Sequence, residues 1–306
     1  MTIYHRPVLF NEVMREFFVH RDGTYVDATF GRGGHSFGLL NQLGSKGRLL
    51  AMDKDPEAVS SALSFCDSQF SIIHENFVNL GRVVRNCGWS GKVTGVLLDL
   101  GVSSPQLDDP ERGFSFMHDG PLDMRMNPQQ TISAAVWLNQ ASKEDIRCVL
   151  WYYGGERYAN RIAKEIAISR RKRYIDRTLQ LSEIVMNAVP YYERKKHPAT
   201  RTFQAIRIFI NCELDELSKC LPQCLEVLEN KGRLCVISFH SLEDRIIKCF
   251  IRRESCGFSL KEFPVLEFEK KRRLKTVGNL IRPTEEEVKE NPRARSARLR
   301  VVEKLM

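Results

Sequence analysis

Apolar runs of strand length alternate with amphipathic helical stretches over the first hundred residues of the chain. Strands are predicted from Thr24 to the start of a glycine-rich turn at Gly31, and then over residues 48–53, 70–74 and 93–100. Apolar residues at helical spacing follow the glycine turn and recur after the second strand. Strands that are apolar throughout and alternate with helices are typical of a parallel sheet covered on both faces.

The alternation stops between residues 106 and 201. This region contains loops and amphipathic helices, one of which begins with a capping box at Ser142 and Asp145, but no convincing buried strand. We therefore expect an all-helical domain inserted into an α/β domain. The expected limits are residues 1–107 for the first part of the α/β core, 108–202 for the insertion and 203–306 for the second part with a basic tail.

The α/β pattern returns after the insertion. A long helix is predicted from Phe203 to Leu228, continuing past Pro222, and it is followed by a turn over residues 229–232 and a fifth strand over 233–239. The fifth strand therefore belongs to the α/β part of the chain, and the residues after it are rich in lysine and arginine.

The composition is that of a globular protein with a basic balance. Hydrophobic residues make up 42% and charged residues 28% of the 306 positions, which is typical of soluble domains. Lys and Arg number 47 against 38 Asp and Glu, so the formal net charge is +9. A positive charge of this size favours a polyanionic partner, nucleic acid before membrane.

Cysteine spacing bears on metal binding and disulfide formation, and the N-terminal segment bears on secretion. The nine cysteines form no Cys-x-x-Cys pair, and Cys220 and Cys224 have no second pair that would complete a metal site. We expect reduced thiols and no bound metal. Residues 1–18 lack the apolar core of a signal peptide, and no run is long enough to span a membrane. The protein is therefore expected to be soluble and cytoplasmic, without a membrane partner.

The glycine turn after the first strand predicts a nucleotide-like ligand. Residues 31–34 read Gly-Arg-Gly-Gly and open a helix, which is how an α/β protein presents backbone N–H groups to such a ligand. The dinucleotide fingerprint needs a third glycine at position 36, where this chain has Ser36, and no Gly-Lys-Ser/Thr of a P-loop follows. The turn alone does not separate the ligands that remain.

Acidic residues at the ends of three predicted strands help to distinguish between the remaining ligands, NAD and S-adenosylmethionine. Asp53 follows the glycine turn by about 20 residues, the spacing at which a carboxylate reaches the ribose of NAD or of S-adenosylmethionine (SAM). Asp27 and Asp99 suit the cationic SAM and would repel the pyrophosphate of NAD. SAM is therefore favoured. An NAD-dependent oxidoreductase and a non-catalytic RNA-binding assembly factor remain as alternatives.

Several long and unusual motifs occur in order along the chain. They include His5-Arg6-Pro7-Val8-Leu9, Arg112-Gly113-Phe114-Ser115-Phe116 and Ile237-Ser238-Phe239-His240-Ser241-Leu242-Glu243-Asp244-Arg245, with further blocks at residues 26–36, 98–108, 120–125 and 197–205. Together they resemble the bacterial RsmH/MraW family. Its members are SAM-dependent methyltransferases that modify the N4 amino group of a decoding-region (P-site) cytidine in 16S rRNA. The similarity extends from His5 to Arg300.

The resemblance implies a class I (Rossmann-like) SAM-dependent methyltransferase fold with an inserted helical domain for substrate recognition. It also implies SAM as cofactor and 16S rRNA, in the small ribosomal subunit or its precursor, as partner. The cofactor-binding residues carried over by position are Gly33, Gly34, His35, Asp53, Phe77, Asp99 and Gln106. The first three are expected against the methionine portion of SAM, Asp53 on the ribose and Phe77 on the adenine. Asp99 and Gln106 are expected where methyl group and acceptor meet.

Asp99 is the candidate catalytic residue. Many amino-group methyltransferases place Asn/Asp/Ser-Pro-Pro-Tyr/Phe after the fourth strand, whereas this chain has Asp99-Leu100-Gly101-Val102 and no aromatic residue after the later proline. Asp99 is the first candidate to accept an amino proton, and the hydroxyls of Ser103 or Ser104 come next. His240 is expected to have a structural or RNA-contacting role, because no nucleophile elbow surrounds it.

Basic residues near the C-terminus and in the insertion are candidates for rRNA contacts. They are Arg293, Arg295, Arg298 and Arg300, together with the runs at residues 170–173 and 194–196. The sequence leaves open which of them touch RNA, and it leaves the oligomeric state open as well.

Overall fold

The computed structural model describes residues 7–63, 65, 67–190, 197–256 and 272–306. The chain divides into two compact units, one formed by residues 1–101 and 214–306 and the other by residues 102–213. The proposed limits of the insertion, residues 108 and 202, lie inside the second unit. Each unit has its own hydrophobic core.

Among the described residues of the first unit, seven strands form one sheet. They are β1 (Thr24–Asp27), β2 (Arg48–Asp53), β3 (Phe70–His74), β4 (Val93–Asp99), β5 (Leu228–Ser238), β6 (Leu274–Thr276) and β7 (Arg298–Lys304). Their spatial order is β3-β2-β1-β4-β5-β7-β6, with β1 to β5 parallel and β7 antiparallel to both neighbours. This arrangement confirms the predicted α/β, Rossmann-like fold class.

Helices surround the sheet and form the second unit. In chain order they are α1 (Phe10–Phe17), α2 (Gly34–Leu40), α3 (Pro56–Ala62), α4 (Leu80–Asn86), α5 (Ser104–Asp108), α6 (Ala134–Gln140), α7 (Lys143–Gly154), α8 (Ala159–Lys172), α9 (Thr178–Ala188), α10 (Ala199–Ile210), α11 (Glu213–Val227), α12 (Ser241–Cys256) and α13 (Glu285–Glu290). In the described part of the chain, none of them combines the length and apolar character that crossing a bilayer requires.

Both faces of the sheet are covered by helices. Successive strand residues point to opposite faces. Val26 and Leu50 pack in one cluster with side chains of α4, α11 and α12. Tyr25 and Leu49, their neighbours along the strands, pack in a second cluster with side chains of α1 and α2. The burial of both faces is the reason why these strands are apolar throughout.

The second unit consists of α5 to α10 and their loops, and none of its described residues forms a strand. α7 begins at the predicted cap, where the Oγ of Ser142 accepts a hydrogen bond from the Asp145 N–H at 3.0 Å. Side chains of α6 to α10 bury one another in a single cluster. The absence of a strand signal in this region therefore corresponds to helix-on-helix packing.

The structure corrects the long helix predicted from Phe203 to Leu228. Two helices occupy this stretch, because Cys212 has a left-handed backbone conformation (φ 51°) between α10 and α11. An L-residue in that conformation cannot continue a right-handed helix. The apolar spacing runs across the break, which is why the periodicity did not reveal it.

The structure also corrects the end of the chain. β5 begins at Leu228, and the turn predicted over residues 229–232 is an irregularity inside it, since Leu228 pairs with Val93 but Arg233 pairs with Gly95. The basic tail contributes β6 and β7, which were not predicted. Both are antiparallel additions to the sheet edge.

Candidate functional site

Three aspartates mark one edge of the sheet in the first unit. Asp27, Asp53 and Asp99 are the last residues of β1, β2 and β4, which lie side by side in the sheet. Because parallel strands end at the same edge, the fold brings together carboxylates that are 72 positions apart along the chain at most. This edge is where ligands of open α/β sheets bind.

The glycine turn between β1 and α2 is packed closely by its own chain. Gly33 has a φ of 76°, and a Cβ atom there would lie 2.5 Å from the Phe37 ring and 2.6 Å from the Phe30 ring. A Cβ atom on Gly34 would lie 2.2 Å from the Cγ of Pro7. Glycine is therefore required at both positions by the turn itself, since side chains would displace the rings and the proline.

Asp53 connects the glycine turn to the end of β2. Its Oδ2 accepts a hydrogen bond from the Gly31 N–H at 2.7 Å, and its Oδ1 accepts one from the Asp55 N–H at 2.8 Å. Burial raises the pKa of this carboxyl, although both hydrogen bonds act in the opposite direction. Each carboxylate oxygen can accept a second hydrogen bond. The predicted contact to ribose hydroxyls is thus chemically open to Asp53.

The carboxylate of Asp27 is buried and forms hydrogen bonds within the protein. Its side chain is only 2% exposed. Its Oδ2 accepts a hydrogen bond from the Ser36 hydroxyl at 2.7 Å, and its Oδ1 accepts one from the Thr29 N–H at 3.2 Å. Burial raises its pKa to about 6. Ser36 therefore has a function that the third glycine of a dinucleotide fingerprint could not serve, which argues against the NAD alternative.

His35 and Asp99 present polar atoms that lack partners. Among the described residues, neither ring nitrogen of His35 nor the Oδ1 of Asp99 has a hydrogen-bond partner, although all three atoms are buried. The Nε2 of His35 lies 3.6 Å from the Oδ2 of Asp99. The His35 ring stacks on Phe10 at a centroid distance of 6.1 Å. Buried polar atoms without partners cost about 1–3 kcal/mol each, so a polar ligand is expected here.

These residues fit the cofactor that the sequence predicts. A carboxylate with a free oxygen suits a cationic group, and an imidazole supplies a donor for a carboxylate or a hydroxyl. Thr29, which was not predicted as a site residue, holds the end of β4 in place, since its Oγ1 accepts a hydrogen bond from the Asp99 N–H at 2.6 Å. Its position two residues after the strand-ending Asp27 was the available signal.

Phe77 lies on a short 3₁₀ turn after β3 and is partly buried. The Nζ of Lys54 is 6.0 Å from the centre of its ring. The same ammonium pairs with Glu216 at 2.8 Å, and Glu216 also accepts a hydrogen bond from Asn76 at 2.6 Å. These contacts of Lys54, Glu216 and Asn76 were not predicted. It holds the loop that carries Phe77, whose contact to adenine stays a prediction.

Gln106 belongs to the second unit. Its Oε1 accepts a hydrogen bond from the Ser103 N–H at 2.9 Å as part of the capping box of α5. Gln106 is 6% exposed. Its local function is therefore to begin this helix, and its cofactor contact stays a prediction.

Several predicted RNA-contact residues make bonds inside the protein. The Nη1 of Arg170 donates to the carbonyl oxygens of Leu138 and Ala141 at 2.7 and 2.6 Å. Arg298 and Arg300 pair with Asp244, at 2.9 and 2.7 Å. The run at residues 194–196 lies outside the described residues.

The surroundings of His240 agree with a structural role. Its Nε2 is 3.2 Å from the Oε1 of Glu243. The Oε2 of Glu243 accepts hydrogen bonds from the Phe239 and His240 N–H groups, at 2.8 and 3.2 Å. Glu243 is 2% exposed. These contacts order the turn between β5 and α12.

Known proteins resemble this chain over nearly its whole length. A family model described as the MraW methylase family matches residues 2–305. Ribosomal RNA small subunit methyltransferase H of Coxiella burnetii is 64% identical over 303 residues, which cover 98% of this chain and 99% of the relative. The protein of the same name from Nitrosococcus oceani is 53% identical over 304 residues, covering 98% and 96%. A solved SAM-dependent O-methyltransferase from Thermotoga maritima has a TM-score of 0.42 at 10% identity, covering 100% of this chain and 69% of that one.

Proposed function

The chain belongs to the MraW methylase family, and from that premise we propose that it methylates the N4 amino group of a decoding-region (P-site) cytidine in 16S rRNA. SAM is the methyl donor, as in the family. The observation that carries the proposal is the group of unpartnered polar atoms on His35 and Asp99, at the sheet edge where the glycine turn lies. The small ribosomal subunit or its precursor is the proposed substrate particle.

The proposed cofactor residues would contact different portions of SAM. Bound SAM supplies an electrophilic methyl group on a positively charged sulfur. Gly33, Gly34 and His35 would hold its methionine portion, Asp53 its ribose and Phe77 its adenine, and Gln106 is the remaining proposed cofactor residue. The turn is held in shape before any ligand arrives, because Asp53 accepts a hydrogen bond from Gly31 and Asp27 accepts one from Ser36 in the helix after the turn.

Asp99 is the proposed acceptor for a proton of the substrate amino group. The lone pair of the cytosine amino nitrogen is delocalised into the ring, and a carboxylate that accepts a hydrogen bond from this group returns electron density to the nitrogen. The Oδ1 of Asp99 is free to accept that bond, while Oδ2 faces His35. The cytidine must leave its stack to reach such a group.

The test is the variant Asp99→Asn in full-length protein. Labelled SAM and immature small subunits are incubated with each protein, and the digested rRNA is assayed for N4-methylcytidine. We expect kcat to fall by at least about 100-fold relative to the original protein, because the amide is no longer a proton acceptor. SAM affinity measured by calorimetry should change by only a few fold.

Asp22→Asn is the matched control, since Asp22 is an exposed aspartate that precedes β1 at the opposite edge of the sheet. It should retain the original rate. An Asp99→Asn protein that binds SAM normally and methylates at the original rate would refute the role of Asp99. If the original protein forms no N4-methylcytidine on free rRNA or on any assembly intermediate, the proposed function is wrong.

A further inference from the structure

A polar pocket of about 330 Å³ lies at the end of β5 in the first unit. Its polar lining comes from His240, Ser241, Arg282, Arg295, Ser296 and Arg298. None of the lining residues carries a carboxylate. The pocket therefore combines three guanidinium groups with two hydroxyls and an imidazole. Two of these groups are paired with carboxylates outside the lining, Arg298 with Asp244 and His240 with Glu243.

The pocket is built by strand pairing between distant segments. Ser238, the last residue of β5, pairs with Arg298, the first residue of β7. Ile281 and Leu299 exchange two backbone hydrogen bonds, at 3.1 and 3.0 Å, and so bring Arg282 beside the start of β7. A 3₁₀ turn that ends at Ser296 precedes β7 and places Arg295 at the same rim. The convergence of these arginines is a property of the folded sheet.

Two of the three arginines are available to a ligand. Arg298 pairs with Asp244, which also holds Arg300. Arg282 and Arg295 are exposed, and no carboxylate of the described residues forms an ion pair with either. Unpaired guanidinium groups that share a concave surface attract an anion, and their planar forks match the oxygens of a phosphate.

The pocket opens at the same sheet edge as Asp99. β4 and β5 are neighbours, Asp99 pairs with Ile237, and the Leu100 N–H donates to the carbonyl of Ile237 at 3.1 Å. Adjacent strands are about 4.8 Å apart, and the pocket begins at Phe239, two positions after Ile237. The pocket and Asp99 therefore lie at the same ends of neighbouring strands.

We propose that this pocket binds a phosphodiester group of the substrate RNA, close to the nucleotide that is methylated. The assignment rests on the proposed function, because RNA is the polyanion that must reach this edge. An acidic protein segment would offer carboxylates as well. The pocket favours RNA because hydroxyl donors accompany the guanidinium groups, and a phosphate accepts hydrogen bonds in several directions at once.

The test compares two double variants of the full-length protein. Arg282→Ala with Arg295→Ala removes the available charges of the pocket. Arg85→Ala with Lys92→Ala removes two exposed cations that have no ion pair among the described residues and that lie just before β4, at the opposite edge of the sheet. RNA affinity is measured by fluorescence anisotropy with an oligonucleotide of the decoding region, over a series of salt concentrations.

We expect the pocket variant to bind RNA about tenfold to a hundredfold more weakly than the control variant at low salt. The slope of log K against log salt should fall by about 0.7 to 1, which corresponds to one lost phosphate contact. Thermal unfolding checks that both variants fold. The single variant Arg295→Glu should show the same loss, because it places a carboxylate at the rim.

The competing outcomes separate the hypotheses. Inorganic phosphate and pyrophosphate should compete with RNA more weakly in the pocket variant than in the control. Equal RNA affinity in both variants, or binding of a polyglutamate peptide that depends on the two arginines while RNA binding does not, would overturn the assignment. Arginine-dependent RNA binding without N4-methylcytidine formation would refute the proposed function but leave the pocket standing. Normal methylation together with equal RNA affinity in the two variants would refute the pocket assignment and leave the proposed function standing.

Discussion

The carboxyl edge of the sheet has two halves of opposite charge. The half formed by β2, β1 and β4 ends in Asp53, Asp27 and Asp99, whereas the half formed by β5 and β7 carries the arginines of the pocket. Asp53 accepts a hydrogen bond from Gly31 of the glycine turn and Asp27 accepts one from Ser36 of the helix that follows it, while Arg282 and Arg295 are exposed. A cofactor of fixed shape needs rigid groups, and a flexible polyanion needs accessible ones.

The two halves also shift the pKa of their carboxyl groups in opposite directions. Burial raises the pKa of Asp27 to about 6, and the hydrogen bond from Ser36 only partly offsets it. Burial acts in the same direction on Asp244, but the hydrogen bonds and charges of Arg300 and Arg298 outweigh it and lower the pKa. A buried acid without an arginine partner and an acid held by two arginines thus respond to pH with opposite sign.

The largest expected effect comes from a side chain in the glycine turn. Gly33→Ala must place a Cβ atom 2.5 Å from the Phe37 ring at a φ of 76°, so we expect a loss of about 2–4 kcal/mol in the free energy of unfolding. Stabilisation by SAM in a thermal-shift titration should disappear. Gly88→Ala is the control, because Gly88 has a φ of 74° but nothing within 4 Å. Equal losses in both variants would show that packing of the turn does not matter.

The next effect concerns Asp27 and pH. Its pKa is raised from 3.8 to about 6 in the folded protein, so the folded state keeps a proton that the unfolded chain releases. The stability contributed by this group is fully present below about pH 4 and is lost as pH rises through about 6, a change of about 3 kcal/mol. Asp27→Asn should remove this component from urea unfolding at pH 4.5 and pH 7.5. A variant with the same pH dependence as the original protein would contradict the burial argument.

The smallest effect tests the basic half. Asp244→Asn leaves Arg298 and Arg300 without their shared carboxylate, and we expect the free energy of unfolding to fall by about 1–2 kcal/mol at pH 7. The difference from the original protein should vanish as pH falls, because a lowered pKa gives stability that is lost on protonation. Glu144→Gln, which removes the exposed pair with Arg147, should lower the free energy of unfolding much less, because solvent screens exposed ion pairs. Similar costs for the two substitutions would mean that Asp244 is no more than a surface partner.

The parts that could be predicted depend on signals close together in the chain. β2 and β3 have the predicted bounds, because their apolar runs are complete and end at polar or turn-forming residues. Asp53 and Asp99 could be placed at strand ends for the same reason. The break at Cys212 could not be predicted, since the apolar period continues across it. β7 was missed because Arg298 and Arg300 end a run rich in arginine, and the charge of this run indicated a basic tail rather than a strand.

The sequence by itself determined the α/β class, the glycine turn and the strand-ending aspartates of the acidic half. These features follow from period, residue size and charge within single strand-turn-helix units. Only the tertiary structure decided which acids are committed to internal hydrogen bonds and where the basic pocket lies. That pocket depends on the pairing of β5 with β7 and of Ile281 with Leu299, contacts between distant segments that no local pattern encodes.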